Sequence, residues 1–220
     1  MAATQPLFDN ELIFGHTSTI ANPKMKPFFA GKKENIHLFD LDQTAKALEK
    51  AKKFLTAIKV QNKKVLFVGT KPQAAFVIEK NLADGNLFYI SKKWTPGLLT
   101  NFPEIRRRID YFLQLKGQFE TKEIHKYTKK EVSNFSKELE KLRVAYGGVA
   151  EMRKKPDVVV VLDAVTDRLA VEEANKTGVP VVALTDANAD PDGIDYPIPG
   201  NDDSIAGLEF VLQELTGTLK

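Results

Sequence analysis

The 220-residue chain has no cysteine, one tryptophan, three methionines and three histidines. Without cysteine it can build neither a disulfide framework nor a thiolate-bound zinc or iron–sulfur centre, which fits a reducing compartment. His16, His37 and His125 show no HExxH spacing and no pair at helical step, so a zinc site built on imidazole is not expected. Long apolar runs are missing too: the longest, such as Val158 to Leu162, stop at five residues, whereas a bilayer span needs roughly 20. Met1 to Asn10 has neither the basic-then-apolar pattern of a secretory signal nor the Arg-rich amphipathic character of a transit peptide. These absences lead us to expect a soluble protein with no membrane partner, no metal and no cofactor.

A composition of 43% hydrophobic and 28% charged residues, with 13 Gly and 11 Pro, suffices for a sizeable core in one or two domains. The net charge of only +3 conceals an uneven distribution. Residues 1 to 155 hold 29 Lys/Arg against 16 Asp/Glu, and residues 156 to 220 hold 3 against 13. Clustered cations displace condensed counterions from nucleic-acid phosphates, which supplies most sequence-independent affinity. The acidic end is expected to face solvent, a basic partner or a cation.

Four short runs rich in β-branched or aromatic residues read as buried parallel strands: Val65 to Val68, Leu87 to Ile90, Val158 to Leu162 and Val181 to Leu184. Helical patterns cover Asp42 to Lys59, Lys71 to Asn81 and Asp167 to Lys176, the last stopped by Gly178. This alternation predicts an α/β fold, a three-layer sandwich around a mainly parallel sheet of Rossmann or flavodoxin type. Between Pro103 and Tyr146 the period changes. Ile105, Ile109, Phe112 and Leu115, then Val132, Phe135, Leu139 and Leu142, recur at three- and four-residue steps. They predict two amphipathic helices joined near Lys116 to Tyr127, making few sheet contacts and projecting as a hairpin. Its tip and flanks carry Lys122, His125, Lys126, Lys129 and Lys130, and Gly147-Gly148 closes it off. The expected organisation is an α/β domain over 1–102 and 147–220 with the hairpin inserted at 103–146.

The search for catalytic chemistry finds little. Gly69-Thr70-Lys71 links a strand to a helix, where amides could hold a phosphate, but the full Gly-x-x-x-x-Gly-Lys-Ser/Thr loop is absent. Asp186, Asn188, Asp190, Asp192, Asp195, Asp202 and Asp203 crowd the region after the last predicted strand. With Asp163 they could hold Mg²⁺ for phosphoryl transfer, but the Asp/Asn/Gly/Pro mixture is also the chemistry of turns, and turns are the preferred reading. Glu172 and Glu173 read as the polar face of a helix.

Basic segments carry more weight. In Asn22-Pro23-Lys24-Met25-Lys26-Pro27-Phe28-Phe29 two prolines predict a stiff extended strip with alternating lysines, followed by Lys32 and Lys33. Lys92-Lys93-Trp94 puts a flat ring beside two ammonium groups, for stacking on a base or for packing at a hinge. Arg106, Arg107 and Arg108 stand at the hairpin's base, where a helix can point only one or two of them to one side. No catalytic constellation competes with these segments.

Six stretches, in order and covering nearly the whole chain, resemble the bacterial-type ribosomal small-subunit protein S-two family. They are Phe14-Gly15-His16 with Asn22 to Pro27; Leu66 to Lys71; Trp94 with Leu98 to Asn101; Leu139 to Leu142; Gly147-Gly148; and Ile198 to Asp203. The resemblance implies a non-enzymatic structural protein at the head–body junction of the small subunit, on its solvent side. It implies contact with small-subunit ribosomal RNA and neighbouring proteins, late assembly, and help in recruiting the mRNA-binding protein S-one. Residence in cytoplasmic ribosomes, or in an organelle matrix, follows. The expected RNA contacts are Asn22, Lys24, Lys26, Lys32, Lys33, Lys71, Lys92, Lys93, Trp94, Arg106, Arg107 and Arg108. The chain departs from the family pattern at Ile13, where a His is common, and at Thr19-Ile20-Ala21, where Arg-Arg-Trp is common. The alternatives are a Mg²⁺-dependent nucleotide-binding phosphotransferase using Lys71, Asp163 and Asp186, and a free RNA-binding regulator.

Overall fold

The structure is a computed structural model that describes residues 4–17, 19–83, 85 and 87–219; the side chain of His125 lies outside the described set. Five parallel strands form the central sheet: β4 (Val65–Val68), β5 (Phe88–Ile90), β6 (Val158–Val161), β7 (Val181–Thr185) and β8 (Tyr196–Pro199), in the order β5-β4-β6-β7-β8. Every residue of β4, β6 and β7 is buried, as strands covered on both faces require. Alternate side chains enter two cores. Val65, Phe67, Val158, Val160, Val182 and Leu184 meet α2 (Leu41–Val60), α3 (Pro72–Leu82) and α7 (Ile205–Gly217). Leu66, Val68, Val159, Val161, Val181 and Ala183 meet α6 (Arg168–Thr177), the start of α4 (Phe102–Glu120) and the loop at Trp94 to Leu99. The result is the expected three-layer α/β sandwich.

The four predicted strands are present, and β8 is a fifth. Its sequence Tyr196-Pro197-Ile198-Pro199 spells a turn to any propensity reading, yet β8 is an edge strand, where the missing N–H groups of proline cost no ladder bond. A second, three-stranded antiparallel sheet was not expected. It consists of β1 (Phe14–Thr17), β2 (Phe29–Lys33) and β3 (Ile36–Phe39) in the order β1-β3-β2, preceded by the short α1 (Gln5–Asp9). Strands β2 and β3 are joined by Glu34 and Asn35, both left-handed at φ 50 and 68°. Two positive φ values in a two-residue connection mark a type I′ turn, for which Asn-Gly is the favoured pair. Glu34→Asn with Asn35→Gly is therefore expected to raise stability by about 1 kcal/mol, read as a higher urea midpoint at unchanged slope.

The segment from Asn22 to Phe29 corrects the reading of an extended strip. Pro23–Phe28 is a 3-10 helix, begun by Asn22, whose side chain accepts from Lys24 N at 3.0 Å. Proline suits a first helical turn as well as an extended chain, and Met25, fully buried at 0% exposure, decides between them by anchoring the turn on Phe39 and Ala187.

Helices α4 and α5 (Lys129–Tyr146) form the expected pair, joined through a 3-10 turn at Glu123–Lys126. Thr128 and Glu131 cap α5 reciprocally. At the base of α4, Ile105, Ile109 and Phe112 are buried in the same hydrophobic cluster as Leu66 and Val68, so this end of the helix joins the third layer. Gly148 fixes the return of the chain, since a Cβ there would lie 2.3 Å from the carbonyl oxygen of Tyr89.

Candidate nucleic-acid interface

In a sheet of this order the strands reverse direction of addition between β4 and β6, and the crevice at their carboxyl ends is where such folds take ligands. Here the crevice is filled by its own side chains. Thr70 donates its backbone N–H and its hydroxyl to Asp167 at 2.9 and 2.8 Å. Asp163 accepts from Val165 N, Thr166 N and Thr166 Oγ1 at 2.8, 2.8 and 2.6 Å. Lys71 Nζ reaches Asp202, Asp203 at 2.6 Å and Asp163 at 3.5 Å. Gly69 is small for packing: a Cβ would meet Ile78 Cδ1 at 2.8 Å and Ala74 Cβ at 2.9 Å.

Charge in this crevice is governed by burial. The Asp202 carboxyl is pushed up to about 7, first by burial and then by the neighbouring charges of Asp163 and Asp186, against the pull of Lys71. Burial also opposes the Lys71 ammonium, but bonds to Asp202 and Asp203 outweigh it and hold Lys71 above the usual lysine range. The hydrogen bond that His16 donates to Asp186, more than any other influence, raises the His16 pKa. His16 Nδ1 lies 3.3 Å from Asp186 and Nε2 3.9 Å from Asp203. Among the described residues, His16, Asp186 and Asp203 alone bring three ligand-type atoms within 4.8 Å of one another. Asp186 already accepts from Ala187 N and Asp202 N, and Asp203 from Lys71.

The acidic end thus has a partner within the chain. Lys24 Nζ bridges Asp190 and Asp192 at 2.8 and 2.6 Å, and Asn22 N bonds Ala187 O at 2.7 Å. The loops after β7 and β8 hold the N-terminal segment in place. Turn chemistry accounts for Asp190, which accepts from Asp192 N at 3.0 Å, whereas Asp186 is held by the distant Asp202 N and His16.

The predicted contact residues separate into two sets. Lys26, Lys32, Lys33, Lys93 and Arg108 are exposed, and no ion pair engages them among the described residues. Arg107 is exposed beside Glu104 at 3.3 Å, and Lys92 is half-exposed beside Glu79 at 2.7 Å. The others are engaged by partners within the chain. Lys71 is partly buried among carboxylates, and Asn22 caps a turn. Arg106 binds the Met152 carbonyl at 2.8 Å and Asp110. Trp94 is 6% exposed and packs in the core beside Leu98 and Leu99. Of the three consecutive arginines, two point outward.

The residue most underestimated by the sequence reading is Glu173. It is no part of a polar face: at 4% exposure it accepts from Trp94 Nε1, Gly97 N, Leu99 N, Thr100 N and Thr100 Oγ1 at 2.8–3.2 Å. A signal was available, since 173 stands three residues after Ala170 and one before Ala174, inside the buried stripe of α6.

A family profile described as "Ribosomal protein S2" matches residues 7–220. The chain belongs to that family. "Small ribosomal subunit protein uS2" of Tolumonas auensis is 38% identical over 207 residues, covering 94% of this chain and 86% of its own length. "Small ribosomal subunit protein uS2c" of Cyanophora paradoxa is 40% identical over 206 residues, 94% and 88%. "Small ribosomal subunit protein uS2" of Maridesulfovibrio salexigens is 40% identical over 197 residues, 90% and 76%. Among the described residues of this family member, no helix is long and apolar enough to cross a membrane.

Proposed function

We propose that this chain is a structural constituent of the small ribosomal subunit that binds small-subunit ribosomal RNA through its exposed cations. The observation that carries the reading is the family match over residues 7–220. The exposed set of Lys26, Lys32, Lys33, Arg107 and Arg108 supplies the phosphate contacts, with Lys92 beside them. Asn22, Lys24, Lys71, Trp94 and Arg106, each engaged by a partner within the chain, hold the surface in shape. Residues 103–146 act as a hairpin inserted in an α/β domain of 1–102 and 147–220. Placement at the head–body junction and support of S-one recruitment extend the same reading. The filled crevice at β4 and β6 gives a nucleotide-binding phosphotransferase no free donor from Lys71 or Thr70.

Sedimentation of the tagged chain from its native lysate tests the proposal. Co-migration with small subunits at moderate salt is expected. A position at the top of the gradient overturns it and favours a free RNA-binding regulator. At residue level, Lys26→Ala, Lys32→Ala and Lys33→Ala combined are expected to flatten the salt dependence of rRNA binding by about one unit of log–log slope per lost phosphate contact. Lys24→Ala, whose ammonium is held by two carboxylates, is expected to leave that slope unchanged. Filter binding across a salt series measures both.

A further inference from the structure

A cleft of about 570 Å³ separates the loop after β5 from the outer side of α5, lined by Lys93, Trp94, Pro96, Lys141, Val144 and Ala145 among others. Its floor is mostly carbon. Val144 is the anomaly. The inward row of α5 is Val132, Phe135, Leu139, Leu142 and Tyr146, and at 100° per residue position 144 lies nearly opposite both 142 and 146. A solvated helix puts charge there; this chain puts a β-branched apolar residue there, 44% exposed.

The rim is positively charged. Lys93 and Lys141 are exposed, and no ion pair engages either among the described residues. Glu140, which also lines the cleft, has both carboxylate oxygens held by Arg143, at 2.8 and 2.7 Å. We propose that this cleft docks an acidic segment of a neighbouring protein, anchored by an apolar side chain on Val144 and Pro96. A protein fits better than a nucleobase. Base edges need hydrogen-bond partners, and the indole N–H of Trp94 and the amides of its loop are already given to Glu173. Those same bonds preorganise one wall and α5 forms the other, so docking costs little ordering of the cleft.

The test is a photo-reactive benzoylphenylalanine at position 144 in the full chain, assembled into small subunits and irradiated, with the adduct mapped by mass spectrometry. An adduct on a protein segment carrying several Asp or Glu around an apolar residue is expected. Lys93→Glu with Lys141→Glu in the same chain is expected to cut its yield about tenfold, a loss of the size that removal of a binding hot spot produces. All three positions lie on the surface, so the fold is retained, as circular dichroism will report. An adduct on rRNA, one on a basic segment, or a yield no higher than from the same probe at Val60 (82% exposed) overturns the proposal.

Discussion

Lys71→Met is expected to destabilise the protein by about 3–5 kcal/mol, the cost of leaving buried charge without its partner. The side chains of Asp202 and Asp163 are each 3% exposed and that of Lys71 17%. Methionine fills the space of the lysine stem, so the loss measures the charge and not a cavity. For a chain of this size the effect is a fall of about 10 °C or more in Tm. The loss has a pH signature. An acid whose folded pKa is raised binds more protons native than unfolded, so stability falls as pH rises through the window between the two values. Asp202 is already pushed up to about 7, and removing the ammonium pushes it higher. Lys71→Met is therefore expected to be more harmful at pH 8 than at pH 5. Asp202→Asn in the same background is expected to restore half of the loss or more at pH 8. Urea unfolding at both pH values is the measurement, and a variant within 1 kcal/mol of the parent at pH 8 would show that the crevice does not depend on this cation.

What could be read without coordinates was governed by periodicity and by breakers. The runs of β4, β6 and β7 are buried on both faces, so every residue is apolar and the signal is strong. The inward rows of α4 and α5 stand out for the same reason, as does Gly178, left-handed at φ 67°. Long-range pairing left no such mark. Strand β8 hides behind two prolines that only an edge position tolerates. The 3-10 turn at Pro23–Phe28 depends on Met25 packing against Ala187, over 160 residues away in sequence. The candidate interface suffered most. A lysine looks the same in a sequence whether it meets a phosphate or a carboxylate, and Lys24 and Lys71 meet carboxylates more than 100 residues distant. Charge sorting between the two ends of the chain was legible. That the two ends neutralise each other in part, at Lys24, Lys71 and His16, required the fold.

Glu173→Gln is the complementary experiment, in which the charge removed is the acceptor. The carboxylate takes three backbone N–H groups, the indole N–H and a hydroxyl. An amide retains one acceptor oxygen and turns an NH₂ group toward other donors, so several buried N–H groups lose their partner at about 1–3 kcal/mol each. A total of about 3 kcal/mol is expected after the loop relaxes toward solvent. The pH dependence is opposite in sense to that of Lys71→Met. Burial pushes the Glu173 carboxyl up, but the amides of Gly97, Leu99 and Thr100 and the Trp94 indole outweigh it, leaving it below the usual glutamate range. A depressed folded pKa gives stabilisation that is complete above the unfolded value, about 4.3, and is lost as pH falls through the folded one. The gap between parent and variant is therefore expected to be constant from about pH 6 to 8 and to close below about pH 4, as the carboxyl becomes neutral like the amide. Trp94 is the only tryptophan in the chain, so its emission reports this loop without interference. In Glu173→Gln the emission is expected to shift to the red at pH 7, because the indole that was bonded inside the third layer meets water. Unchanged emission together with an unchanged urea midpoint would mean that apolar packing of Leu98 and Leu99 holds the loop unaided, and that Glu173 is a passenger in the core.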